Sequence, residues 1–370
     1  MTARLLALAL LLVPLPVTAE LRLPAGFTAQ VYVTGEGFDT DAARGVRGIP
    51  ATSTLAFDHT GLLYLARTGR RYFGGEAYDL WPIYRIPAGG ARLSPDTEAR
   101  YFYGPPLPNP QVAAARRGRE LFVTTFDRER KIGALYRLVD GRAELFAGGT
   151  PERRGRPVLR QPEGTAVDAA GNVYIADRAE GVVVRLDPEG RVVDPRYLTL
   201  ARPRLLAIDD RDQLWIGTDG DAELPSQQGP GEIVRVTPQG LSGSVHRGPV
   251  AAALGLGPGN SLFVADRHEK QIFVIAQDGR RIEFATFTDG DAPRSLASRR
   301  SRPRRGEPAS PATSSSSRSS PGPGPSTRSC ASPVPSTTSC VSAKRQPPGH
   351  RAYFRKVPAI RPNHVSGLES

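Results

Sequence analysis

Five short apolar runs, each built around one aromatic side chain, recur along the chain: LYLA (63–66), LFVT (121–124), VYIA (173–176), LWIG (214–217) and LFVA (262–265). Their anchors, Tyr64, Phe122, Tyr174, Trp215 and Phe263, stand 58, 52, 41 and 48 residues apart. A shorter apolar run precedes each, opened by a proline (Pro50, Pro110, Pro162 and Pro203, with Pro249 near the fifth) and separated from the anchor run by Gly61, Gly118, Gly171, Asp212 or Gly259. A third run follows with arginine between apolar residues (Arg85, Arg137, Arg185, Arg235; QIFVI in the fifth copy), and then a more polar fourth. β-Branched and aromatic runs bounded by Gly and Asp turns predict strands joined as antiparallel hairpins. The inner runs are apolar on both faces, as in strands covered from both sides, whereas the fourth alternates as a strand half open to water does. Continuous helical periodicity is absent.

A four-strand unit repeated at this spacing predicts a β-propeller, in which radial repetition leaves only short sheet edges. The expected fold class is all-β: a six-bladed β-propeller with five full blades and a broken sixth. DAPRSLA (291–297) restarts the unit on schedule, matching IPATSTLA and RPRLLA, but an arginine-, serine- and proline-rich segment follows where a turn and an aromatic strand are due. GFTAQVYVTG (26–35) is an additional strand, expected to close the ring by pairing with the last blade.

The clearest copy, QPEGTAVDAAGNVYIADRAEGVVVRLDPEG (161–190), resembles an NHL-type repeat, and residues 20–297 resemble NHL and gluconolactonase-like six-bladed propellers. The resemblance implies a functional mouth where loops meet the central channel. One fold of this kind hosts many activities.

Residues 1–20 bear Arg4, an apolar run from Leu5 to Val13, helix-breaking Pro14 and Pro16, and Val17-Thr18-Ala19 before Glu20. This is the layout of a cleavable export signal over residues 1–19, and the run is shorter than the roughly 20 residues a membrane span requires. The expected location is periplasmic or extracellular, without a membrane span after cleavage, and the expected state is monomeric. Both cysteines, Cys330 and Cys340, lie beyond residue 297, so the body has no thiol chemistry and no disulfide.

Charge is equally uneven. Residues 295–370 carry 13 Lys+Arg against 2 Asp+Glu, and residues 1–294 carry 36 against 35. The net charge of +12 therefore belongs to the tail, and the body offers no footprint for nucleic acid. Residues 298–370 are expected to be disordered because they cannot bury enough apolar surface to offset their ordering entropy. A solvated linker, a basic arm and a reading-frame slip all produce such a segment. The slip is favoured by a chain with 45 Arg and 4 Lys, the mark of a GC-rich gene, and by a repeat that stops in mid-strand.

Two sets of residues recur at the expected mouth. Arg67, Thr125, Asp177, Thr218 and Asp266 follow the anchor runs, where Asp177 and Asp266 have the chemistry to bind a cation such as Ca²⁺ or a sugar hydroxyl. A turn aspartate accepting backbone N–H bonds has the same sequence signature. Glu163 is the one carboxylate just ahead of an inner run, giving a ligand-binding expectation of Arg67, Glu163, Asp177 and Asp266. The gluconolactonase-like resemblance implies a divalent metal held by Glu, Asn and Asp, chemistry that Glu163, Asn172 and Asp177 supply, although IPATSTLAFD lacks the glutamate that family carries in its first blade. LRLPAGFTAQVYV (21–33) is similar to the beginnings of soluble quinone-dependent sugar dehydrogenases, which implies pyrroloquinoline quinone, Ca²⁺ and a histidine base. His268, beside Asp266 and Arg267, is the candidate. The expected function is binding of a small molecule or a protein at the mouth; the alternative is a sugar dehydrogenase or lactonase.

Overall fold

The computed structural model describes residues 21–38, 49, 52–58, 60–67, 80–115, 120–127, 129–149, 159–222, 229–288, 292–293, 295–298, 341–344 and 352–355. Five four-stranded antiparallel blades follow one another along the chain. The first comprises Thr52–Phe57, Leu63–Arg67, Leu80–Ile86 and Phe102–Pro108; the second Gln111–Ala115, Leu121–Asp127, Ile132–Val139 and Arg142–Gly148. The third comprises Pro162–Val167, Val173–Asp177, Val182–Leu186 and Val192–Thr199. The fourth comprises Pro203–Ile208, Leu214–Thr218, Pro230–Val236 and Ser242–Pro249; the fifth Ala251–Leu256, Leu262–Asp266, Gln271–Ile275 and Arg281–Phe287. Every anchor aromatic lies on the second strand of its blade. The first strands of successive blades touch in order around the ring, as expected of a propeller.

The ring closes through Leu296–Ser298, which touches the inner strands of the fifth and first blades. Leu296 packs into the apolar cluster of the fifth blade, with Ala253 and Phe284, and Ala297 against that of the first, with Leu55 and Leu65. This is the restart that DAPRSLA predicts. The sixth position holds a small mixed sheet instead of a blade. Leu296–Ser298 runs parallel to Val341–Lys344, which is antiparallel to Ala352–Arg355, and that strand runs parallel to Phe27–Ala29. Two short pieces of the segment expected to be disordered are thus strands, and the rest of 299–370 lies outside the described residues. The export signal, residues 1–19, lies outside them too.

The strand expected over 26–35 is divided. Leu21–Arg22 adds to the outer edge of the fifth blade, Phe27–Ala29 joins the small sheet, and Val33–Gly35 pairs in parallel with Ala91–Leu93. Val33 and Leu93 are both buried against Leu63, Leu65, Tyr84 and Ile86 of the first blade, so the segment spends its apolar residues on a flank of that blade.

Two side-chain devices recur among the blades. Asp58, Asp168 and Asp209 sit in the turn between first and second strands, accept backbone N–H bonds there, and accept again from the polar atom of the anchor: Tyr64 Oη at 3.4 Å, Tyr174 Oη at 3.3 Å and Trp215 Nε1 at 3.2 Å. A buried aromatic with a polar atom requires such a partner. Where the anchor is phenylalanine (Phe122, Phe263), the residue six positions earlier is Arg116 or Gly257 and no acceptor is needed. The repeated arginines Arg85, Arg137, Arg185 and Arg235 stand directly opposite the anchors in the ladder. They lie 5.0, 5.6, 5.8 and 5.4 Å from the ring centres of Tyr103, Phe146, Tyr174 and Trp215, within cation–π range.

Candidate functional site

The strand registers collect the predicted residues at one end of the blades. The first residue of each inner strand pairs with the last part of the second strand: Thr52 with Arg67, Gln111 with Thr124, Pro162 with Asp177, Pro203 with Thr218 and Ala251 with Asp266. This end is the mouth. In the second blade Thr124, not Thr125, holds the paired position, because that strand continues to Asp127.

Every inner strand also carries a register shift immediately after this pair. The residues left out of the ladder are Ser53, Val112, Glu163 with Gly164, Arg204 and Ala252. A bulge re-aims side chains that a regular ladder would fix. Here it sets an acid and a base on neighbouring inner strands. Gly164 permits the approach, since a Cβ there would stand 2.5 Å from the Arg204 carbonyl oxygen and 2.8 Å from the Leu206 nitrogen.

Around Glu163 the charges interlock. Asp219, 1% exposed, accepts from Arg204 Nε at 2.8 Å and from Arg178 Nε at 3.0 Å. Arg178 also donates to the Ala222 carbonyl at 2.8 Å, and Arg204 to that of Ala251. Gln161 Nε2 donates to Glu163 Oε1 at 2.9 Å, and Thr124 Oγ1 donates to the Glu163 carbonyl at 2.5 Å. Glu163 is 8% exposed. Burial pushes its carboxyl above the ordinary range, and Arg204, Gln161 and Arg178 only partly counter that push. The network spans four blades, from Thr124 in the second to Ala251 in the fifth.

The other predicted residues serve their own loops. Asp177, 1% exposed, accepts three backbone N–H bonds, from Arg160 at 2.7 Å, Gln161 at 3.1 Å and Glu180 at 3.2 Å. Burial raises its pKa against these donors. Asp266 accepts from the backbone of His268 at 2.9 Å and Glu269 at 3.0 Å. His268 is half-buried in the turn that Asp266 caps. Arg67 is 3% exposed, lies 3.6 Å from the Trp81 ring centre and donates to Tyr84 Oη at 2.8 Å and Glu98 at 3.3 Å, which braces the first blade.

The expected metal ligands do not converge. Asp177 and Asp266 belong to the third and fifth blades, with the fourth between them, and each is engaged by its own turn. Asn172 is at the opposite end, bonded to Asp168 through both its backbone and side-chain nitrogens. Among the described residues no group of three or more His, Cys, Asp or Glu side chains could hold a metal ion. The side chains implied for a lactonase-type metal therefore do not fit one. Arg178, Arg204, Asp219 and Gln161 were missed in sequence. The visible signal was the TDGD loop (218–221), whose acids suggest a Ca²⁺ loop until Asp219 is seen between two guanidinium groups.

No helix among the described residues is long and apolar enough to cross a membrane. Neither a protein-family model nor a curated protein sequence matches the chain. Solved structures similar to it include virginiamycin B lyase from Staphylococcus aureus (16% identity, 67% of this chain and 74% of that one, TM-score 0.42). A chain of a nidogen/laminin complex matches at 17% identity over 65% and 82%, with TM-score 0.45. A putative oxidoreductase (glucose dehydrogenase) from Thermus thermophilus matches at 16% over 68% and 88%, also with TM-score 0.45. The class of protein that the sheets define is the β-propeller. Likeness at this level shares architecture and assigns no activity.

Proposed function

We propose that this chain is an exported β-propeller that binds a small neutral ligand at its mouth, around Glu163. One observation carries the reading: a nearly buried carboxyl, set outside the ladder by a bulge and held toward its protonated form, beside guanidinium groups that Asp219 already occupies. A protonated carboxyl both donates and accepts hydrogen bonds, which suits a hydroxyl- or amide-bearing ligand. An anionic ligand would have to displace Asp219. Export rests on the leader-like residues 1–19.

The test is a saturation-transfer NMR screen of the full chain against neutral monosaccharides, sugar lactones and short uncharged peptides. Binders should be retained by Glu163→Gln, which mimics the protonated acid, and lost in Glu163→Leu. An empty screen, or binders indifferent to Glu163→Leu, sinks the proposal. A sugar-directed enzyme is the second reading, favoured by the placement of His268 at the same end. It would replace the first if the chain with Ca²⁺ and pyrroloquinoline quinone reduced a dye on adding an aldose and His268→Ala abolished the reaction.

A further inference from the structure

At the opposite end of the first blade lies a second concavity, of about 520 Å³, lined by Asp58, Thr60, Tyr64, Arg85, Arg100, Tyr101 and Tyr103 among others. That volume is within the roughly 300–1,000 Å³ of small-molecule sites. It exists because one connection is long. The third and fourth strands of the first blade are joined by residues 87–101, whereas residues 140–141, 187–191, 237–241 and 276–280 suffice in the other four. Insertions of this kind on a regular frame commonly carry function.

The repeated arginines meet different partners from blade to blade. Arg137 donates to Glu144 at 2.7 Å and Arg235 to the Gln277 carbonyl at 3.1 Å. Arg85, like Arg185 over Tyr174, lies over a tyrosine, Tyr103, and has no carboxylate partner among the described residues. Arg100, brought by the insertion, is exposed and likewise has none. Among the described lining residues the one acid, Asp58, is occupied by Thr60, Leu62 and Tyr64.

We propose that this concavity binds a ring-bearing carboxylate the size of one or two sugar units, of the sugar-acid class. Two guanidinium groups suit a carboxylate, which they engage through paired N–H donors. Tyr101, half-buried, provides a surface against which a ring packs, while Tyr64 and Tyr103 are buried. The site is independent of Glu163, which stands at the other end of the blades.

Isothermal titration of the full chain with glucuronate, galacturonate, glucose and inorganic phosphate tests this. Uronate binding is expected, weakened about tenfold or more by Arg100→Gln as one charge-assisted pair is lost and abolished by Arg85→Gln, with little from glucose or phosphate. Arg100 is exposed, so its variant keeps the fold if circular dichroism is unchanged. Tyr101→Ala should also weaken binding. Glu163→Leu should leave it intact, which separates failure here from failure at the mouth. Equal binding of glucose, binding of phosphate alone, unchanged affinity in Arg100→Gln, or no uronate binding each overturns the proposal.

Discussion

The joint between the third and fourth blades and the joint between the fifth and first solve one problem with unequal means. The former combines a full apolar interface, in which Ala166, Tyr174 and Val183 meet Ile208, Leu214 and Ile216, with the ion pairs of Asp219 and the close inner-strand approach at Gly164. At the opposite end, Asp212 accepts from the backbone of Ala169 at 2.9 Å. The latter depends on a strand three residues long, with Leu296 facing one neighbour and Ala297 the other. Among the described residues ring closure is therefore concentrated in few side chains, whereas the regular joint is redundant.

Single substitutions on either side of that asymmetry can break it. Asp219→Ala leaves two nearly buried guanidinium groups without their shared acid and should cost roughly 3–5 kcal/mol, read from urea unfolding. A loss below that of an ordinary surface change would mean that the regular joint does not need its charges. Ile216→Ala, fully buried in the same joint, should cost about 2–5 kcal/mol. Leu296→Ala, in the short closing strand, should lie at or below the low end of that range. Reversal of this order would locate the ring's main strength at the sixth position.

Gly164→Ala should cost roughly 1–3 kcal/mol, because one inner strand must shift away from Arg204. Tyr174→Phe removes only the hydroxyl bonded to Asp168 and should cost about 0.5–1.5 kcal/mol. The last effect is in slope. With its folded pKa raised, Glu163 keeps its proton to higher pH in the folded chain than in the unfolded one. Stability should therefore fall as pH rises from the ordinary carboxylate range through the raised one, and be level in this contribution on either side. Glu163→Gln should remove that portion of the fall, and an unaltered pH–stability curve would place the carboxyl in water.

The blades were legible in sequence because each announces itself locally: an aromatic anchor, a Gly or Asp turn and, in four of the five, an arginine opposite. The ties of Asp58, Asp168 and Asp209 to Tyr64, Tyr174 and Trp215 could have been read from a fixed spacing of six. Of the charged network around the mouth, only Glu163 was visible, through its place ahead of an inner strand. Its partners were not, since Arg178 and Asp219 are 41 residues apart and meet only when two blades pack. Asp177 and Asp266 illustrate the converse: one sequence signature serves for a ligand site and for a turn, and here both carboxylates accept backbone N–H bonds of their own turns. The segment 26–35 misled because its strand pattern said nothing about which of three edges each piece would find.

The bulges at the mouth have a consequence for how such a chain can diversify. Residues excluded from the ladder are under no obligation to pair, so Ser53, Glu163 and Ala252 can be exchanged while the hydrogen-bonded frame behind them stays the same; Arg204, tied to Asp219, is the exception. The ring thus separates inheritance from invention. Its strands preserve the shape, and a handful of positions, one or two per blade, are left to vary with whatever the mouth must hold.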